Sequence, residues 1–168
     1  RFILGARLRA VKEIREPVLS RPGRYKEVYG ARTNSKDPSP LEVKEVQVGE
    51  RRYIVCRNEE EVRKDRADRE AILKALEEQL KQGDKSLVGD KGYRKYLKVA
   101  GKDHFEIDVE KAKSEERVDG KWVLQTDMDL PAEDVALRYK ELWMVESIFR
   151  SMKSILETRP IYHKRDDT

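Results

Sequence analysis

The sequence predicts a mixed α/β fold, and three stretches carry that reading. VKEVQV (43–48) and RRYIVCR (51–57) alternate β-branched or apolar residues with polar ones around Gly49-Glu50, the pattern of a β-hairpin. NEEEVRKDRADREAILKALEEQLKQG (58–83) is a charged segment with a narrow apolar stripe at Val62, Ala67, Ile72, Leu73, Leu76 and Leu80, as in an amphipathic helix. Residues 131–156 form a second long segment with apolar residues at helical spacing.

The remaining elements follow in chain order. Phe2–Ala6 is a short apolar run suited to a buried strand. In RLRAVKEIREPVLS, Leu8, Val11, Ile14, Val18 and Leu19 recur at roughly helical spacing, but Pro17 argues against one uninterrupted helix. Residues 20–40 are rich in Pro, Gly, Ser and Asn and read mostly as loop. Asn58 suits the N-cap of the first long helix, Glu59 to Glu61 suit its positive end, and Gly83 stops it. Residues 83–99 are turn-rich and lead into a strand, and HFEID (104–108) is a further short strand. DVEKAKSEER (108–117) is a short polar helix, DGKW (119–122) a turn, and WVLQT (122–126) a buried strand. Pro131 fits a helical first turn, Glu133 and Asp134 complement the dipole there, and Pro160 lies beyond the helix end.

Composition narrows the function classes. The 168 residues suffice for one domain, or for one domain with an insertion. At 42% charged, much of the chain must be solvated helix or loop, since about a quarter is usual. The net charge of +4 permits a nucleic-acid partner without requiring one. A single cysteine, Cys56, rules out an internal disulfide and reads as a small apolar strand residue. Two histidines and that cysteine are too few for an ordinary zinc site. No apolar run reaches the roughly 18 residues of a membrane span, and there is no signal-peptide pattern, so the expected location is cytoplasmic. The chain opens on RFILGARLRA without an initiator methionine, which suggests an upstream segment.

On a helical wheel at about 100° per residue, the late helix divides into three zones. Leu142, Val145, Ile148, Phe149, Met152, Ile155 and Leu156 share one broad apolar arc, expected to be the packing face. Lys140, Ser147, Ser151 and Ser154 occupy the expected solvent side. Tyr139, Trp143, Glu146, Arg150, Lys153 and Glu157 form a stripe between them. Taken alone, Glu146 reads as a surface partner of Arg150 at i,i+4, a pair contributing a few tenths of a kcal/mol.

The spacing Tyr139, Leu142, Glu146, Lys153 resembles the Y-x2-R-x3-E-x6-K signature of DDE transposases from a large group of bacterial insertion sequences, with Leu142 at the arginine position. The stretches FILGARLRAVKEIRE, RRYIVCRNEEEVRKDRADRE, LVGDKGYRKYLKV, DGKWVLQTDMDLPAEDVALRYKELWMVE and ETRPIYH also resemble the C-terminal half of such enzymes. The resemblance implies part of an RNase H-like core, a mixed sheet flanked by helices, interrupted by a β-rich insertion with one long helix. Its expected divisions are 1–14 as core strand region, 15–120 as insertion, and 121–168 as the return to the core with the catalytic-glutamate helix.

The implied activity is cleavage and joining of DNA strands at transposon ends by in-line displacement at phosphorus. The implied cofactor is a pair of Mg²⁺ ions held by carboxylates, because Mg²⁺ prefers oxygen ligands. Glu146 corresponds to the third carboxylate, both catalytic and metal-ligating. The two aspartates are expected upstream of Arg1, so this chain alone is expected to be inactive. Asp90, in Gly-Asp-Lys-Gly, reads as a turn residue, and Asp127 and Asp129 as turn and capping residues. Lys153 and Tyr139, each two turns from Glu146, and Arg150 are the expected DNA contacts on the stripe. Arg94, Lys95 and Lys98, interleaved with Tyr93 and Tyr96, are a further DNA-binding patch or, equally, a charged strand edge. Partners so implied are transposon-end and target DNA, with a homodimer in a synaptic complex. Two other readings stay open: a non-catalytic DNA-binding module, and a protein-interaction module that uses helix 59–82.

Overall fold

The computed structural model describes residues 1–8, 11–82, 93–101 and 104–155. It is a mixed α+β structure built on a five-stranded antiparallel sheet. The strands are β1 (Ile3–Ala6), β2 (Lys26–Tyr29), β3 (Leu41–Val48), β4 (Arg51–Arg57) and β7 (Lys121–Thr126), in the order β1-β7-β4-β3-β2. A separate two-stranded ladder pairs β5 (Leu97–Gly101) with β6 (His104–Ile107). The helices are α1 (Lys12–Ser20), α2 (Glu59–Gln82), α3 (Val109–Glu116) and α4 (Ala132–Ile155).

Strand alternation sorts the side chains onto two faces. Tyr53, Val55 and Val123 bury on one face with Val46, Val18 and Leu8, where α1 packs. Ile54, Cys56 and Leu124 bury on the other with Leu41 and Val43, under Val135 and Ala136 of α4. Each central strand therefore carries apolar residues on successive positions, as a strand covered on both faces must. A third cluster joins Leu76 of α2, Tyr96 and Ala112 of α3 to the β5–β6 ladder.

The hairpin, the capped long helix, the polar helix and the buried late strand form where the sequence places them. Asn58 Oδ1 accepts the Glu60 N–H at 2.9 Å, and Gly49 takes the left-handed turn conformation at φ 59°. Asp108 caps α3 by accepting the Lys111 N–H at 2.9 Å.

Three expectations are corrected. Helix α1 runs through Pro17: proline removes one backbone hydrogen bond, and burial of Val18 with Ile14 and Leu19 against the sheet offsets it. The segment 20–40 is mostly loop, as expected, but it also contains β2, whose short KEVY run is an edge strand paired to β3 with an irregular register. The apolar arc of α4 is not a packing face, as described below.

The sheet also crosses the expected divisions. β4, from the expected insertion, pairs with β7, from the expected core, from Arg52↔Thr126 to Arg57↔Lys121. All described neighbours in this sheet are antiparallel, so the parallel pairing implied by a mixed sheet is not among them. Among the described residues no helix is long and apolar enough to cross a membrane.

Candidate functional site

The first turns of α4 set the site. Val135 and Ala136 are fully buried against the sheet, and Tyr139 packs beside them. At 100° per residue, Glu146 and Arg150 project into the same arc as Val135, Ala136 and Tyr139. The stripe between the expected faces is thus the continuation of the face that meets the sheet. Past Tyr139 the helix leaves that support.

The arc expected to pack is exposed. Its Leu142, Val145, Ile148, Phe149 and Met152 are 47–61% exposed, and Trp143 of the stripe and Met144 are 63% and 56% exposed. The wheel identified the apolar residues correctly, but Val135 and Ala136 fix which side meets the sheet, and past Tyr139 the helix has no sheet beneath it. Lys140, expected on the solvent side, is instead half-buried, and burial pushes its ammonium pKa down.

Glu146 accepts a hydrogen bond from Arg150 Nη2 at 2.7 Å, with their side chains 67% and 79% exposed. Such a pair contributes about 0.3–0.5 kcal/mol. In this chain, the i,i+4 surface pair is therefore the contact Glu146 makes, and it leaves the carboxylate accessible. Among the described residues no three His, Cys, Asp or Glu side chains group as metal ligands. Glu146 is a single carboxylate, so the described residues do not by themselves fit a two-ion Mg²⁺ centre.

The other expected contacts are dispersed. Tyr139 is half-buried and lies on β1: a Cβ at Gly5 would stand 2.5 Å from its hydroxyl. Lys95 pairs with Glu115 at 2.5 Å and lies over the Tyr96 ring. Lys98 pairs with Glu106 at 3.6 Å on the small ladder. Lys153 lies within α4, but its side chain, those of Tyr93 and Arg94, and Asp90 altogether fall outside what the structure describes. Asp127, expected as a turn or capping residue, accepts the Phe2 N–H at 2.6 Å, a long-range tie that holds its carboxyl below the usual range.

The feature that sequence reading missed is a cleft of about 530 Å³ between the start of α4, β1, β7 and the start of α2. Trp122, Tyr139 and Trp143 line it with Gly5 and Lys140. Three aromatics and a lysine suit a flat, electron-rich group. The residues come from strands and helices far apart in sequence, and no local pattern announces them. Trp143 stands three residues before Glu146, one helical turn away.

Comparison with known protein families, with curated proteins and with solved structures finds no match to this chain.

Proposed function

We propose that this chain is part of an RNase H-like DDE enzyme that cleaves and joins DNA strands at transposon ends. Glu146 is its contribution to the catalytic carboxylates, and the two aspartates and the rest of the Mg²⁺ site belong to polypeptide outside the chain. The observation that carries the reading is where Glu146 points. It stands on the sheet-facing arc of α4, beyond the sheet's support, one turn from an aromatic cleft. A carboxylate there is accessible to a phosphodiester backbone while the neighbouring aromatics offer stacking surface to a base. Together with the signature spacing of Tyr139, Glu146 and Lys153, that placement supports the enzyme reading, with the Arg150 ion pair as the contact the carboxylate makes in this chain alone.

No catalytic step is assigned to this chain alone. Arg150 holds the Glu146 carboxylate until a stronger partner displaces it. Lys140 and Lys153 supply positive charge for phosphate contact.

The test is Glu146→Gln in the protein encoded by the complete reading frame. Strand cleavage at transposon ends is expected to be lost while DNA affinity and folding persist. Normal cleavage by that variant would sink the assignment. The seven exposed apolar side chains of α4 favour a second reading, a protein-interaction module. Loss of partner binding with no effect on DNA affinity, on replacing Phe149 and Val145 by polar residues, would support it instead.

A further inference from the structure

We infer that Arg52 is the positioning residue that aims α4, and with it Glu146. Arg52 sits in β4, opposite Gln47 of β3 on one side and Thr126 of β7 on the other. Its guanidinium makes two sets of bonds. Nε and Nη2 donate to the Glu45 carboxylate at 3.0 and 2.7 Å. Nη1 donates to the Met128 carbonyl at 2.6 Å, and Nη2 to the Leu130 carbonyl at 2.7 Å.

Those carbonyls lie in the connection between β7 and α4, just before the helix begins at Ala132. The same connection is tied to β1, where Thr126 Oγ1 donates to the Phe2 carbonyl at 2.7 Å and accepts the Met128 N–H at 3.0 Å. The first turn of α4 is itself tied to β2 by the Lys26–Glu133 ion pair. Of these ties only Arg52 reaches two carbonyls of the connection from the centre of the sheet. A planar guanidinium held from one edge by Glu45 presents its remaining N–H groups in a fixed direction, which an ammonium cannot do.

The base of α4 matters because the helix is a cantilever. Sheet contact ends near Tyr139, and the residues from Leu142 to Met152 are mostly exposed. Glu146 lies roughly 21 Å along the axis from Ala132, so a tilt of about 10° at the base would move it about 4 Å. The positional claim stands on this geometry; its catalytic consequence rests on the function proposed above.

The experiment measures the distance between nitroxide labels at Arg51→Cys and Ser151→Cys, both exposed positions, in the 168-residue chain. Cys56 is buried, and burial pushes its thiol pKa up to about 12, so the reagent selects the introduced cysteines. Arg52→Lys and Arg52→Met are expected to broaden the distance distribution by about 5 Å, the displacement of a 10° tilt at Ser151, about 28 Å along the axis from Ala132. Glu45→Gln leaves both carbonyl bonds in place but loosens the hold on the guanidinium, and should broaden the distribution less than either Arg52 variant. Unchanged widths in both Arg52 variants would overturn the inference. So would equal broadening in Glu45→Gln, or loss of the sheet by circular dichroism in both Arg52 variants, since Arg52 would then hold the fold rather than aim the helix.

In the complete protein, Arg52→Lys should lower the cleavage rate on the order of 10²-fold with DNA affinity unchanged. Broadened distances with normal cleavage would overturn the catalytic consequence alone. Normal cleavage by Glu146→Gln would instead remove the function reading and leave the distance result standing.

Discussion

Tyr139 lies directly over Gly5, so close that a methyl group on the glycine would stand 2.5 Å from the phenol oxygen and 3.3 Å from Cζ. This contact joins edge strand β1 to α4 at the last point where the helix is supported. Gly5→Ala is therefore expected to destabilise the chain by about 1–3 kcal/mol, the usual cost of overpacking. Removing the hydroxyl should relieve much of it, so Gly5→Ala with Tyr139→Phe should recover stability in a thermal double-mutant cycle. Additive losses would show that Tyr139 moves aside freely.

The Arg69–Asp119 ion pair is the buried electrostatic contact of the α2 side, at 2.6 Å with both side chains under 10% exposed. Burial works against the Arg69 charge, but the hydrogen bond and charge of Asp119 outweigh it, and the guanidinium pKa is raised. Arg69→Met strands the aspartate and should cost about 3–5 kcal/mol in urea denaturation. The double variant with Asp119→Leu should recover a large share of that loss.

Cys56 makes the chain sensitive to alkali. Burial raises its thiol pKa from 9.0 to about 12 in the folded state. The unfolded chain loses this proton first, so the stability present below pH 9 declines as pH rises from 9 toward 12. Cys56→Ala should flatten that decline in unfolding measurements at pH 8 and pH 11, and an equal slope in both proteins would refute it.

Apolar residues of α4 should differ sharply in their effect on stability. Phe149→Ala and Leu142→Ala remove exposed side chains and should change stability by no more than about 0.5 kcal/mol. Val135→Ala removes two methyl groups from a fully buried site and should cost about 1–3 kcal/mol. Comparable losses at Val135 and Phe149 in chemical denaturation would mean that α4 folds back onto the domain.

The hairpin was legible because Gly49 and the alternation around it act locally, and α2 because Asn58 and the glutamates after it do the same. Pro17 misled, since a lost hydrogen bond is visible in sequence while the burial of Val18 that offsets it is not. β2 was hidden because a four-residue edge strand takes its identity from its partner β3. Of the candidate site, the Glu146–Arg150 pair was readable from i,i+4 spacing, whereas the cleft of Trp122, Tyr139 and Trp143 was not, its walls lying on β7 and α4.

By itself the sequence determined most of the segments that become helix and strand, β2 and the run of α1 through Pro17 excepted, because propensity, capping and periodicity operate within a few residues. Tertiary structure decided which side of α4 meets the sheet. Val135 and Ala136 bury there, and the fixed 100° step of the helix then carries Glu146 into the same arc and turns Val145, Ile148 and Met152 outward, while Leu142 and Phe149, near the Val135 azimuth, are exposed because the helix has run past the sheet.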